Sequence, residues 1–136
     1  MYNIIMSNLI LDCDSPIEHI ILSNDSLVIS NATIFSTHSK IVGDNNTVIG
    51  NNNIVKGTFN LVEGNFNLVY GSNDTILGHH NQVYCDNSRI YGNSNTANGI
   101  KLFIKGNFNR IYSTLFRIIG KVNTINGKKQ ENSNSN

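Results

Sequence analysis

Residues 43–99 decide the fold: they read GDNNTVI GNNNIVK GTFNLVE GNFNLVY GSNDTIL GHHNQVY CDNSRIY GNSNTAN G, ending with Gly99. Divided in this way, the stretch is a run of heptads of the form G-x-x-N-x-V-x, with no insertion or deletion. A fixed period of this kind is typical of repeat architectures. We name the heptad positions a to g, with the glycine at a.

Position f is apolar in every heptad when the same phase is extended in both directions. An amphipathic helix would need a second apolar position three or four residues away, whereas position d is mostly asparagine and glycine holds position a in most heptads from residue 43 onward. Residues at d and f lie on the same side of a short strand, and a to c supply a corner. The pattern predicts an all-β fold, a parallel β-solenoid. The f column reads Ile20, Leu27, Ile34, Ile41, Val48, Val55, Val62, Val69, Ile76, Val83, Ile90, Ala97, Ile104, Ile111, Ile118 and Ile125.

Alternate heptads behave differently at position d. One set keeps asparagine in every heptad from Gly50 onward, while the other drifts to Asp74, Ser88, Leu102 and Phe116. This alternation favours a flattened two-sheet roll in which two heptads form one coil. A triangular coil of three heptads is the alternative, supported by tyrosines at 70, 91 and 112. We expect the constant set to form an internal ladder in which each amide bonds to its copy in the next coil: Asn53, Asn67, Asn81, Asn95, Asn109 and Asn123.

The period also suggests domain bounds. We expect a cap or an irregular first coil over residues 1–14, a β-solenoid over 15–127 and a disordered polar tail over 128–136. The opening segment is apolar but has neither a basic n-region nor a small-residue cleavage site. The sequence therefore predicts no membrane insertion, and it is compatible with the cytoplasm or with an assembled particle.

Few residues are candidates for chemistry. Cys13 and Cys85 are predicted to be reduced thiols, and His79, His80 and Asp86 near Cys85 do not match a zinc-ligand spacing. The glycines belong to the repeat and no helix follows them, which excludes a phosphate-binding loop. We predict that the protein is not an enzyme and has no catalytic, cofactor or metal site.

Position g predicts an interface. On the sheet with the drifting d residues, this column would face outward and six of its eight residues are apolar, more than a solvated face requires. A second copy is the expected partner, and the apolar members of the predicted interface are Ile21, Phe35, Ile49, Leu77, Tyr91 and Ile119.

Charge is distributed unevenly along the chain. Up to residue 87 there are eight acidic residues and two lysines, whereas from residue 89 onward there are eight basic residues and one acidic residue. In a solenoid these halves become opposite ends, which predicts head-to-tail attraction between copies, weakened by salt. The basic residues are dispersed over several heptad positions, so nucleic acid is not a predicted partner.

The heptads of residues 43–127 resemble the head repeats of trimeric autotransporter adhesins, which place glycine at a and small or aliphatic residues at f. The resemblance implies a left-handed parallel β-roll that trimerises and binds host surfaces. The chain departs from that pattern with Val and Ile where those heads favour alanine at f, with asparagine at d, and without a signal peptide, stalk or membrane anchor. The resemblance therefore carries the fold, and the adhesin function does not transfer.

Two functions remain open. The first is a structural or assembly module, a rigid rod that associates with copies of itself. The alternative is a surface-binding or glycan-binding module that uses the asparagine columns and the aromatic residues Phe59, Phe66, Tyr70, Tyr84, Phe108 and Tyr112.

Overall fold

The structure, a computed structural model, describes residues 19–23, 27–126 and 128–129, and the side chains of residues 29–126. These residues form seventeen strands and no helix, arranged in two sheets. The eight-stranded sheet contains β1 (His19–Ser23), β3 (Ala32–Ser36), β5 (Thr47–Ile49), β7 (Leu61–Glu63), β9 (Thr75–Leu77), β11 (Arg89–Tyr91), β13 (Leu102–Lys105) and β15 (Phe116–Ile119). The nine-stranded sheet contains β2 (Leu27–Val28), β4 (Lys40–Val42), β6 (Ile54–Thr58), β8 (Leu68–Ser72), β10 (Gln82–Asp86), β12 (Thr96–Asn98), β14 (Arg110–Tyr112), β16 (Thr124–Ile125) and β17 (Lys128–Lys129).

The repeating unit is a coil of two heptads, as the alternation of heptads predicts. Val48 pairs with Val62 in the eight-stranded sheet, and Val55 pairs with Val69 in the nine-stranded sheet, both in parallel register. Consecutive heptads therefore lie in opposite sheets, and Tyr70 pairs with Tyr84. This register rules out the triangular coil of three heptads. The coils stack at about 4.8 Å, so seven of them form a rod about 34 Å long.

The first coil is one residue shorter than the others. Strand β1 pairs with β3 at an offset of 13, so Ile21 aligns with Ile34 and Leu22 aligns with Phe35. The predicted phase, which placed Ile20 in the f column, is wrong for this strand. Strand β2 has already returned to the regular offset, since Leu27 pairs with Ile41.

The core is the f column. From Ile34 to Ile111 every f residue is at most 1 % exposed, while Ile118 and Ile125 are partly buried against the same cluster. Burying a Val or Ile side chain contributes about 1.5–3 kcal/mol. Because the two columns face each other across a thin roll, they account for most of the apolar stabilisation.

Asparagine at position d has a different role from the one predicted. Oδ1 of Asn81 accepts the backbone N–H of Asn67 at 2.8 Å, and its Nδ2 donates to the backbone carbonyl of Gly64 at 3.0 Å. All six predicted ladder asparagines make these two bonds to the preceding coil. The carbonyl acceptor is a glycine at position a in five of them, and for Asn53 it is Ser36. The predicted amide-to-amide contact is wrong, because the corner leaves one N–H and one carbonyl without a sheet partner and the side chain satisfies both.

The corner explains the glycine at a. At Gly78, φ is +136°, and a Cβ atom there would lie 2.0 Å from the carbonyl oxygen of Gly64. Position c follows in the left-handed region, with φ near +57° at Phe66 and His80. Asparagine tolerates this conformation better than most residues, which accounts for its frequency at c.

The predicted ends are only partly described. The predicted cap over residues 1–14 and residues 130–136 of the predicted tail lie outside the described residues. Within that tail, strand β17 pairs antiparallel with β16, Lys128 aligning with Ile125. These two residues therefore differ from the disordered tail that the sequence predicts.

Candidate association face

The outward g column of the eight-stranded sheet forms a continuous row, which we call the association face together with the e residues beside it. Parallel pairing places Phe35 next to Ile49 and Leu77 next to Tyr91. Phe35 is 39 % exposed and Ile119 is 44 % exposed, and the apolar residues between them are half-buried. The full column reads Phe35, Ile49, Glu63, Leu77, Tyr91, Lys105 and Ile119.

One predicted interface residue does not belong to this column. Ile21 aligns with the buried Ile34, and Leu22 takes the register position beside Phe35. The sequence pattern does not reveal this shift, because Ile20, Ile21 and Leu22 are all apolar and no glycine marks the phase in that coil.

The e column widens the association face, whereas the predicted interface contained only g residues. Leu61 and Phe103 are outward-facing and half-buried on β7 and β13. The Phe103 ring lies against Tyr91, with 5.8 Å between the ring centroids, and the Arg117 guanidinium lies 5.9 Å from the Phe103 ring. The heptad phase is enough to predict that Leu61 and Phe103 lie on this face, since e and g project to the same side of a strand.

The outward face of the nine-stranded sheet is more polar. Tyr70 and Tyr84 stack at 5.2 Å with an interplanar angle of 14°, and the Lys56 ammonium lies 5.3 Å from the Tyr70 ring. Asn98 and the exposed Tyr112 occupy the same outward column further along. Val42, Ile54 and Leu68 lie on the same face, but the coil of Thr96 and Asn98 has no outward apolar residue, so the apolar row of this face is interrupted there.

The corners carry exposed aromatic residues. Phe59, Phe66 and Phe108 are 60–64 % exposed at position c, each with φ near +57°. Phe66 stacks on His80 in the next coil at 5.1 Å. The neighbouring His79 accepts the backbone N–H of Asn93 through Nδ1, so its ring serves the corner.

Position d of the eight-stranded sheet contains a buried acid, and a buried thiol lies beside it. Burial raises the pKa of Asp74 to about 6, and the N–H of Asn60, which donates to Oδ1 at 2.8 Å, only partly offsets this. The Cys85 thiol donates to Asp74 Oδ2 at 3.3 Å, and burial, reinforced by the nearby carboxylate, raises its pKa. A protonated, buried thiol is a poor nucleophile.

Asn60, which donates its backbone N–H to Asp74, has a side-chain amide nitrogen that lacks a hydrogen-bond partner. Asn60 Nδ2 is buried without a hydrogen-bond partner, the only such side-chain nitrogen or oxygen in the described part of the chain. Among the same residues there is no group of three His, Cys, Asp or Glu side chains placed to hold a metal ion. No helix that could cross a membrane occurs within the described ranges.

Two stacked parallel sheets with a corner at each heptad define this protein as a β-roll. Residues 14–127, most of the chain, match the model of the grass antifreeze β-roll family, and the protein belongs to that family. The match does not confirm the resemblance to trimeric autotransporter head repeats. No curated protein and no solved structure matches the chain significantly.

Proposed function

We propose that the protein is a non-enzymatic structural module that associates laterally with copies of itself through the association face. The observation that carries this proposal is the contiguity of the outward apolar residues. Five of the seven g residues are apolar or aromatic, and Leu61 and Phe103 extend the row at e. Apolar surface of this extent on a monomer is typical of interaction sites.

The opposite face supplies a matched comparison. Ile49 and Leu77 on the association face, and Val42 and Leu68 on the nine-stranded sheet, are all half-buried, outward-facing strand residues. Changing each pair to lysine introduces the same charge at similar exposure. Only the first pair lies in the proposed contact.

The test is the solution mass of three proteins. We expect the parent to be larger than a monomer, Ile49→Lys with Leu77→Lys to be monomeric, and Val42→Lys with Leu68→Lys to keep the parent mass. Circular dichroism on all three establishes that the β fold is retained. A parent that is monomeric at every concentration, or equal dissociation by both lysine pairs, would contradict the proposal.

Ice binding is a second candidate because the family is described as antifreeze. Thr33, Thr47 and Thr75 stand in one outward column of the eight-stranded sheet, but Leu61 and Arg89 interrupt them. A flat crystal lattice is matched by side chains of equal reach at every coil, and this column does not provide them. We expect no inhibition of ice recrystallisation, and inhibition at micromolar concentration would favour ice binding.

Glycan binding is the third candidate, favoured by Tyr70 and Tyr84. Stacking covers one face of each ring, and the Lys56 ammonium lies 5.3 Å from the Tyr70 ring, so a sugar would have mainly the second face of Tyr84 to stack on. We rank this function below self-association. A monomer retained on a glycan array, and released by Tyr84→Ala, would reverse the ranking.

A further inference from the structure

We infer that two copies pair face to face with antiparallel solenoid axes, so that Glu63 of each copy contacts Lys105 of the other. This inference rests on the proposed self-association and specifies its geometry. The two-fold axis runs parallel to the strands and passes between β9 and β11. The resulting assembly is a closed dimer.

The two charged residues of the g column are the starting point. Glu63 on β7 lies between Ile49 and Leu77, and Lys105 on β13 lies between Tyr91 and Ile119. Both are exposed in the monomer. A partner that covers the apolar row also covers these charges, and a charge removed from water needs an opposite charge.

The order of the column meets this requirement. A two-fold axis parallel to the strands keeps g opposite g and reverses the order of the coils. With the axis between β9 and β11, β9 of one copy faces β11 of the other. The next strands outward are β7 and β13, so β7 of one copy faces β13 of the other. The apolar residues then pair among themselves as Leu77 with Tyr91, Leu61 with Phe103, and Ile49 with Ile119. The arginines of the e column face threonines, Arg89 with Thr75 and Arg117 with Thr47.

Neighbouring registers fail on the same residues. A shift by one coil in one direction places Glu63 against Tyr91 and Lys105 against Ile49. The shift in the other direction places Glu63 against Ile119 and Lys105 against Leu77. In both registers, Glu63 and Lys105 of each copy therefore face apolar residues instead of each other.

A parallel dimer also fails. An axis along the rod would put each coil opposite its own copy and bring g opposite e. Glu63 would then face Leu61, and Lys105 would face Phe103. Isologous contacts must be self-complementary, and only the antiparallel arrangement makes this face so.

The charge gradient along the rod supports the same arrangement. In the described coils, the basic residues concentrate after residue 88, while three of the four acidic residues precede Cys85. Antiparallel packing keeps the two basic halves apart, because each lies along the half of the other copy that carries Asp44 and Glu63. It also covers the apolar row, which head-to-tail contact would leave in water.

The size of the face sets the expected strength. A surface about 34 Å long and about 15 Å wide gives roughly 500 Å² per copy. The total, about 1,000 Å², lies at the lower limit for a specific interface, so we expect micromolar dissociation constants. Charge pairing can therefore determine whether the dimer forms.

The experiment exchanges the charges one at a time. Glu63→Lys places lysine opposite lysine, and Lys105→Glu places glutamate opposite glutamate, so each variant alone should dimerise at least tenfold more weakly than the parent. An equimolar mixture of the two should dimerise as tightly as the parent, because in the heterodimer position 63 of each copy again faces an opposite charge at position 105 of the other.

 In that heterodimer, Glu63→Lys of one copy faces Lys105→Glu of the other, and the unchanged Lys105 of the first copy faces the unchanged Glu63 of the second. Lys40→Glu on the nine-stranded sheet is the control and should match the parent.

Sedimentation at about 50 mM salt distinguishes the outcomes. Heterodimers from two non-associating variants would support the antiparallel pairing. A parent dimer with no recovery in the mixture would overturn this geometry and leave lateral association intact. A parent that never dimerises would overturn the proposed function and this inference together.

Discussion

Two asparagines at the same heptad position predict unequal losses of stability. Asn81 and Asn60 are both buried at position d, 1 % and 2 % exposed, on opposite sheets. We expect Asn81→Leu to destabilise the fold considerably more than Asn60→Leu. Leucine has a similar size and already occupies this position at Leu102, which is buried.

The hydrogen bonds set the magnitude. Asn81→Leu leaves the Asn67 N–H and the Gly64 carbonyl without a partner. An unsatisfied buried group costs about 1–3 kcal/mol, and the carbonyl is only partly buried, so the loss is about 2–4 kcal/mol. Asn60→Leu removes a single bond, from the Asn46 N–H, and also removes an amide nitrogen that has no partner. Those two changes oppose each other, which leaves a loss of about 0–2 kcal/mol.

Urea unfolding followed by far-ultraviolet circular dichroism measures both losses. All three proteins are compared at one concentration, because dimerisation would add to the apparent stability. The slopes of the unfolding curves should agree, so that the midpoints report free energy. Equal losses at the two sites would refute the assignment of asparagine as a bridge to the corner backbone.

Three other changes follow from the same geometry. Burial raises the pKa of Asp74 from 3.8 to about 6, so the folded protein binds this proton more tightly than the unfolded chain does. The parent should therefore lose on the order of 2 kcal/mol of stability as pH rises from about 4 to about 6, and Asp74→Asn should abolish that loss in urea titrations across pH. Gly78→Ala should prevent folding or cost more than about 3 kcal/mol, whereas Cys85→Ala at the same heptad position should cost about 1 kcal/mol, and comparable thermal midpoints would contradict the corner geometry. Val122→Asn should stabilise the fold by about 1 kcal/mol because φ is +57°, and Asn52→Val, at φ +59°, should destabilise it by a similar amount; the same sign for both in denaturant midpoints would exclude this reasoning.

The period made most of the architecture predictable. A residue that is apolar at every seventh position must be buried, and heptads that alternate in their d residue must alternate between two sheets. Val48 and Val62, one coil apart, are both fully buried and paired in register. These features depend only on spacing and hydrophobicity, which the sequence states directly.

The remaining features depend on local geometry that spacing does not determine. The partners of the Asn67 side chain follow from where the corner leaves an unpaired N–H and carbonyl. The missing residue in the first coil is hidden because Ile21 and Leu22 are equally apolar. The left-handed conformation at position c is masked where Phe59 or Val122 replaces asparagine.

The association face was predictable in part for the same reason. Alternation placed Ile49 and Leu77 in one outward column, and the register confirms that they share it. The proposed pairing of Glu63 with Lys105 of a second copy depends on the coil order and the sheet, because these residues are three coils apart.

Sedimentation equilibrium of the parent protein at low salt, over a wide concentration range, tests the central proposal most directly. We predict a reversible transition between the 15.1 kDa chain and a species of twice that mass, with no larger particle. Added salt should shift the transition to higher concentration, because it screens the charges that set the register. A single species with the mass of one chain at every concentration, or growth into filaments, would contradict the account.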